Sequence, residues 1–249
     1  MQDEEPRQYS ELKYHPNPTN DKPDALPRCC VYLPANCKAA GPYRVLYLLH
    51  GVGDTEYSWE VNGNLSALIN ELIRDGQIDP MIVVMPFGFV KQEYKLIRKF
   101  PEKEEFDTFL GEVIEKIESK YSEIDQKRRA LAGLSMGGKQ ALEYVLDNPN
   151  KFEALGAFSA ALHREEYKAL QKIEARLNWR ADNLRKLRLL YVSCGEQDET
   201  GKGTLLKSNK ALEKSLKSLG EIKLQVEWKR GRHDWGVWKS SLRQFLSVW

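Results

Sequence analysis

The chain has no apolar run approaching the roughly 20 residues that a membrane-spanning helix needs, and so no membrane partner is expected. It has no excess of either charge. Its 38 basic and 36 acidic residues leave a formal net charge of +2 over 249 residues. That balance gives no reason to expect a nucleic-acid partner. The N-terminus, Met1-Gln2-Asp3-Glu4-Glu5-Pro6, lacks the apolar stretch of a secretion signal. As written the chain is expected to be cytoplasmic; if Met1 stands where a signal was trimmed, a secreted one. Cysteine is scarce: Cys29, Cys30, Cys37 and Cys194, none at metal-ligand spacing with a histidine. Four free thiols are expected, three of them semi-buried, with a Cys37 bridge to Cys29 or Cys30 as the alternative. The zinc-type H-E-x-x-H and the dinucleotide G-x-G-x-x-G are both missing, so no metal or organic cofactor is expected. Internal repeats, low-complexity tracts and domain boundaries are missing too.

What is present suits a globular α/β domain. Hydrophobic residues make up 41% and charged residues 30%, an ordinary globular composition. The length allows one large core. Residues 1–27 are polar and proline-rich and are expected to form an N-terminal arm with at most an edge strand. From 28 to 249 a single catalytic domain is expected. Short apolar runs at 29–33, 44–49, 81–85, 129–132, 152–159 and 187–193 read as strands, and 223–228 as an alternating last strand. Helical spacing marks 65–75, 106–121, 139–146, 204–219 and 237–248. Residues 163–185 are charged and read as a short helical cap. Strands alternating with helices predict a mostly parallel sheet with helices on both faces.

The segment around which this pattern turns is Gly133-Leu134-Ser135-Met136-Gly137-Gly138. It sits between a buried strand and a helix, the context that a nucleophile elbow needs. A turn that tight forces the serine backbone into strain and leaves room for little but glycine two residues either side. A serine hydroxyl needs a base. Of the four histidines, His15 lies in the arm and His163 opens a charged segment. His50 adjoins the glycine loop His50-Gly51-Val52-Gly53 and is expected to brace it. His233 lies between the last strand and the last helix, where the order Ser, acid, His of an α/β-hydrolase puts its base. The acid must fall between them. Asp198 is preferred because Gly195 ends a strand just before it, with Glu196 and Glu199 as alternatives. Asp234 adjoins His233 and is badly placed to orient that ring. Two backbone N–H groups should face the oxyanion: Met136, after the nucleophile, and Val52 on the glycine loop.

These segments together resemble the esterase D-like α/β-hydrolases, in particular carbohydrate esterase family 1, with its feruloyl and acetylxylan esterases. Leu46 to Gly53 followed by Trp59 is similar to that family's oxyanion segment, and Ile82 to Pro86 to the strand after it. Ala132 to Gly138 resembles its elbow, Ser193 to Asp198 its acid segment, and Gly231 to Trp238 its histidine segment. The resemblance runs in order from about residue 30 to 249. It supports Asp198 over its neighbours and implies the Val52 and Met136 donors. Gly51, Trp59, Trp235 and Trp238 are expected to border the substrate, the tryptophans either as an aromatic wall or as packing under the loops. The residues after Pro86 lack the Gly/Asn-rich run of many relatives.

The resemblance implies a serine carboxylic-ester hydrolase working through an acyl-enzyme. Its partner would be a small-molecule or carbohydrate-linked ester, foremost a feruloyl or acetyl ester of plant cell-wall xylan. Related folds suggest siderophore trilactones, S-formylglutathione or acyl transfer as alternatives. A carbohydrate-binding module without chemistry would predict a broken triad.

Overall fold

Alternation along the strands divides the apolar residues of this chain between two cores. In the computed structural model, β3 (Tyr43–Leu49) is buried at all seven positions. Tyr43, Val45, Tyr47 and Leu49 enter one cluster, and Leu46 and Leu48 the other. A strand reads as one apolar run only when both of its faces are covered, as in parallel sheets. The structure describes residues 11–15, 28–35, 41–88, 103–148, 150–162, 174–177, 179–200 and 204–249. Cys37, the loop after Gly88 and most of the expected cap lie outside them.

Among the described residues the sheet has eight strands in the order β1-β2-β4-β3-β5-β6-β7-β8. These are β1 (Glu11–His15), β2 (Cys29–Leu33), β3, β4 (Met81–Pro86), β5 (Ile124–Leu134), β6 (Ala154–Phe158), β7 (Leu189–Gly195) and β8 (Leu224–Lys229). β1 and β2 pair antiparallel at one edge, and the other six strands run parallel. The polar arm therefore contributes an edge strand.

Helix α1 (Ser58–Val61) and α2 (Leu65–Arg74) follow β3. They are succeeded by α3 (Lys103–Lys120), α4 (Met136–Asp147), α5 (Ala181–Arg185), α6 (Thr204–Ser218) and α7 (Trp235–Val248). The apolar stripes of α3, α4 and α6 pack on one face of the sheet, and those of α2 and α7 on the other. Among the described residues no helix is long and apolar enough to cross a membrane.

Several local expectations shift in detail. α4 begins at Met136, three residues earlier than periodicity indicates, because the glycines that weaken a helical signal are packing contacts here. β5 extends back to Ile124 through polar residues, since its first half lies at the rim of the sheet. Cys29, Cys30 and Cys194 are free thiols, and each is fully rather than semi-buried. Cys29 and Cys30 enter opposite cores, as neighbours on a strand must.

Candidate active site

Parallel strands bring all their C-terminal ends to one rim, and loops from β3, β5, β7 and β8 meet there. Ser135 lies at the turn after β5 with φ 51 and ψ −113. Strain of this kind costs about 1–3 kcal/mol and persists only when the surroundings impose it. Here Ser135 N donates to the Phe158 carbonyl at 2.8 Å, and the Ser135 carbonyl accepts from Ala161 N at 2.9 Å and Lys139 N at 3.1 Å. A Cβ on Gly133 would stand 2.5 Å from the Gly137 carbonyl carbon, and one on Gly137 would stand 2.6 Å from the His50 carbonyl oxygen. Those contacts are with backbone, which cannot swing aside. The hydroxyl is thus held at the N-cap of α4, toward the positive end of its dipole.

The acid and histidine loops are joined backbone to backbone. Glu196 N donates to the Lys229 carbonyl at 2.8 Å and Gln197 N to the Gly231 carbonyl at 2.9 Å. Gly195 makes the approach feasible, since a Cβ there would meet the Gly231 and Arg232 carbonyl oxygens at 2.6 Å. Of the three acids considered, Glu196 and Glu199 are exposed, whereas Asp198 is 2% exposed. Asp198 Oδ2 accepts the His233 Nδ1–H at 2.7 Å, and Oδ1 accepts Thr200 N at 3.0 Å. Cys194 Sγ donates to Oδ2 at 3.8 Å. With its proton on Nδ1, His233 presents Nε2 as an acceptor to the Ser135 hydroxyl, 3.0 Å away. Burial alone would raise the Asp198 pKa, but the bonds from His233 and Thr200 outweigh it and hold this carboxyl below the usual 3.8. Burial, with the Asp198 charge second, pushes the Cys194 thiol up to about 12, so it stays neutral beside the carboxylate.

Asp234 serves elsewhere. Its Oδ1 accepts Val237 N at 3.1 Å as the N-cap of α7, and its Oδ2 accepts Arg232 N at 3.1 Å. Both oxygens shape the histidine loop from the outside.

The loop after β3 lies against the nucleophile. A Cβ on Gly51 would stand 3.5 Å from Ser135 Cβ. Val52, next along, packs its side chain against the cluster that Met136 and Phe87 form. Met136 is the first residue of α4, where a helix leaves its N–H groups without intrahelical acceptors. His50 is buried, its Nδ1 is 2.8 Å from the Gly51 carbonyl, and burial lowers its pKa below 6.5. It is a neutral brace for this loop.

The three tryptophans form a stack. Trp235 meets Trp59 at 5.2 Å and Trp238 at 5.3 Å, both edge to face. Trp238 in turn meets the His233 ring at 4.9 Å. Trp59 is 1% and Trp238 6% exposed, and Trp59 Nε1 donates to the Leu49 carbonyl at 3.0 Å. Of the two expectations for these rings, packing under the loops describes Trp59 and Trp238, while Trp235 is half-buried. Phe87 is no candidate in the sequence, where it only opens the loop after Pro86. It is buried in one cluster with Met136, against which Val52 packs, and these are the two residues whose N–H groups are expected to face an oxyanion.

The arrangement can do one thing well: draw a proton from a strained, helix-capping hydroxyl while an ionised acid steadies the base. Residues 24–247 match the sequence model of a family described as "Putative esterase". An endo-1,4-beta-xylanase/feruloyl esterase of Xylanibacter ruminicola is 30% identical over 204 residues, which is 81% of this chain and 26% of that protein. The chain thus spans about a quarter of that relative's length. A solved ferulic acid esterase superposes with a TM-score of 0.77 at 26% identity, covering 96% of this chain and 97% of its own. A CE1 ferulic acid esterase from Anaeromyces mucronatus, in complex with ferulic acid, has the same fold at a TM-score of 0.71 and 20% identity, over 96% and 89% of the two chains.

Proposed function

The chain belongs to the esterase family, which its residues 24–247 match, and from that premise we propose that it is a serine carboxylic-ester hydrolase acting on feruloyl or acetyl esters of plant cell-wall polysaccharide. Ser135, His233 and Asp198 are its triad. The observation that carries this proposal is the unbroken hydrogen-bond chain from Asp198 to His233 at 2.7 Å and from His233 to Ser135 at 3.0 Å.

Ser135 Oγ attacks the ester carbonyl carbon as its proton passes to His233 Nε2. Asp198 holds the imidazole in the required tautomer and stabilises the imidazolium. The carbonyl oxygen becomes an oxyanion that accepts hydrogen bonds from the Met136 and Val52 N–H groups. Each such donor contributes roughly 3 kcal/mol to the transition state. As the C–O bond breaks, His233 returns the proton to the leaving alcohol. A water then repeats the sequence on the acyl-Ser135 ester, releasing acid and enzyme. No step requires a metal or organic cofactor.

The feruloyl and acetyl classes rest on the likeness to feruloyl esterases, and Trp235 offers a ring face for a phenolic acyl group. A panel of methyl ferulate, acetylated xylan and a siderophore trilactone tests the class. The highest kcat/KM should fall on one of the first two; preference for the trilactone would replace the substrate while keeping the chemistry. Ser135→Ala should abolish turnover of all three, and retained turnover overturns the triad.

A further inference from the structure

Beneath the loop after β3 lies an ion pair that the proton relay does not use. Arg28 Nε donates to Glu56 Oε1 at 2.6 Å, with the side chains 8% and 0% exposed. Burying two charges is costly, and apolar residues of the same volume commonly stabilise a core as well or better. Stability is therefore a weak reason for this pair, and its surroundings supply a better one. The Arg28 guanidinium carbon stands 3.9 Å from the centroid of the Phe87 ring. The Arg28 carbonyl accepts Phe87 N at 3.0 Å. Phe87 clusters with Met136, Val52 packs against that cluster, and the Phe87 ring lies 6.0 Å from that of His50, the brace of Gly51.

Three separate elements meet in this cluster. Arg28 immediately precedes β2, and Phe87 immediately follows β4, the antiparallel neighbour in which Pro86 faces Cys29. Glu56 is four residues from Val52 on the same loop. The ion pair thus fastens that loop to the sheet through side chains, and the Phe87 ring under the Arg28 guanidinium belongs to the apolar cluster that holds Met136 and against which Val52 packs. Donors act on an oxyanion only within a few tenths of an ångström of their best distance.

We infer that Arg28, Glu56 and Phe87 are positioning residues for the oxyanion donors: the buried pair pins the Phe87 ring, and the ring sets where Val52 and Met136 present their N–H groups. The inference rests on the ester-hydrolase proposal above. An N–H moved by about 1 Å costs on the order of 10²-fold in rate, so the expected signature is in kcat rather than in ground-state binding.

Glu56→Gln keeps the volume and removes the charge. Its kcat, counted per active site titrated with a fluorophosphonate, should fall by about 10- to 100-fold, with KM for an aryl ester within about twofold. Affinity for phenylboronic acid, which forms a tetrahedral adduct on a serine oxygen, should fall by a similar factor, while ferulate binding stays unchanged. Phe87→Leu tests the same link without touching the ion pair, should Glu56→Gln fail to fold. Unchanged kcat per titrated site and unchanged boronate affinity, with only a lower melting temperature, would overturn the inference. Wild-type protein that neither hydrolyses esters nor reacts with the fluorophosphonate would instead overturn the ester-hydrolase assignment.

Discussion

Two aspartates in this site lie 36 positions apart in the chain and can be told apart by one pair of substitutions. Asp198→Asn keeps size and burial but puts an amide where the carboxylate accepts the His233 Nδ1–H at 2.7 Å. The amide can donate to Nδ1, which leaves the proton on Nε2 and removes the acceptor that Ser135 needs. Loss of the correct tautomer lowers kcat by about 10⁴-fold in such a triad, or about 5.5 kcal/mol of barrier. Asp234→Ala does the opposite. It removes the acceptor of Val237 N at the start of α7, a cap worth about 1 kcal/mol. In a protein of this size that lowers Tm by about 2–4 °C, with kcat within a few-fold. Steady-state hydrolysis of an aryl ester and a thermal melt on each variant complete the comparison. An Asp198→Asn enzyme with more than a tenth of the wild-type kcat would refute the assignment of the acid. So would an Asp234→Ala enzyme that loses activity and keeps its Tm.

The lowered Asp198 pKa also sets a pH dependence of stability. A carboxyl depressed by folding stabilises above its unfolded value and loses that contribution as pH falls through the folded one. The stability difference between wild type and Asp198→Asn, from urea titrations, should be constant near neutrality and shrink below about pH 4; a difference that grows on acidification would mean that folding raises this pKa instead. Ser135→Gly should abolish turnover yet stabilise the fold by about 1–2 kcal/mol, because glycine adopts φ 51 without strain; an unchanged Tm would mean that the turn stores nothing. Trp59→Ala should lower stability by about 3–5 kcal/mol, as expected for a buried ring. Trp235→Ala should mainly raise KM for a phenolic ester, and the reverse pattern in melts and kinetics would exchange the roles of the two rings.

Much of the fold was legible locally. Apolar runs such as Met81 to Met85 and the stripe from Phe106 to Ile117 carry their period in themselves, because a covered strand and an amphipathic helix are each defined by near neighbours in the chain. The glycines around Ser135 were legible for the same reason: the turn that requires them is six residues long. The reading of Asp198 against Glu196 and Glu199 leaned on resemblance, since three acids in four positions look alike until burial separates them. The tryptophans stayed open between wall and packing, because an aromatic ring bound for the underside of a loop has the same sequence signal as one facing a ligand.

From the sequence alone came the order of elements, the strained turn and the residue types that chemistry of this kind requires, all properties of short segments. Tertiary structure alone decided which acid is enclosed, which tryptophan is only half-buried, and that Arg28 and Glu56 are joined under the loop. Those choices depend on which strand ends share a rim and on which charges are shut away from water. Residues 28 and 98 positions apart in the chain become neighbours only when the sheet closes.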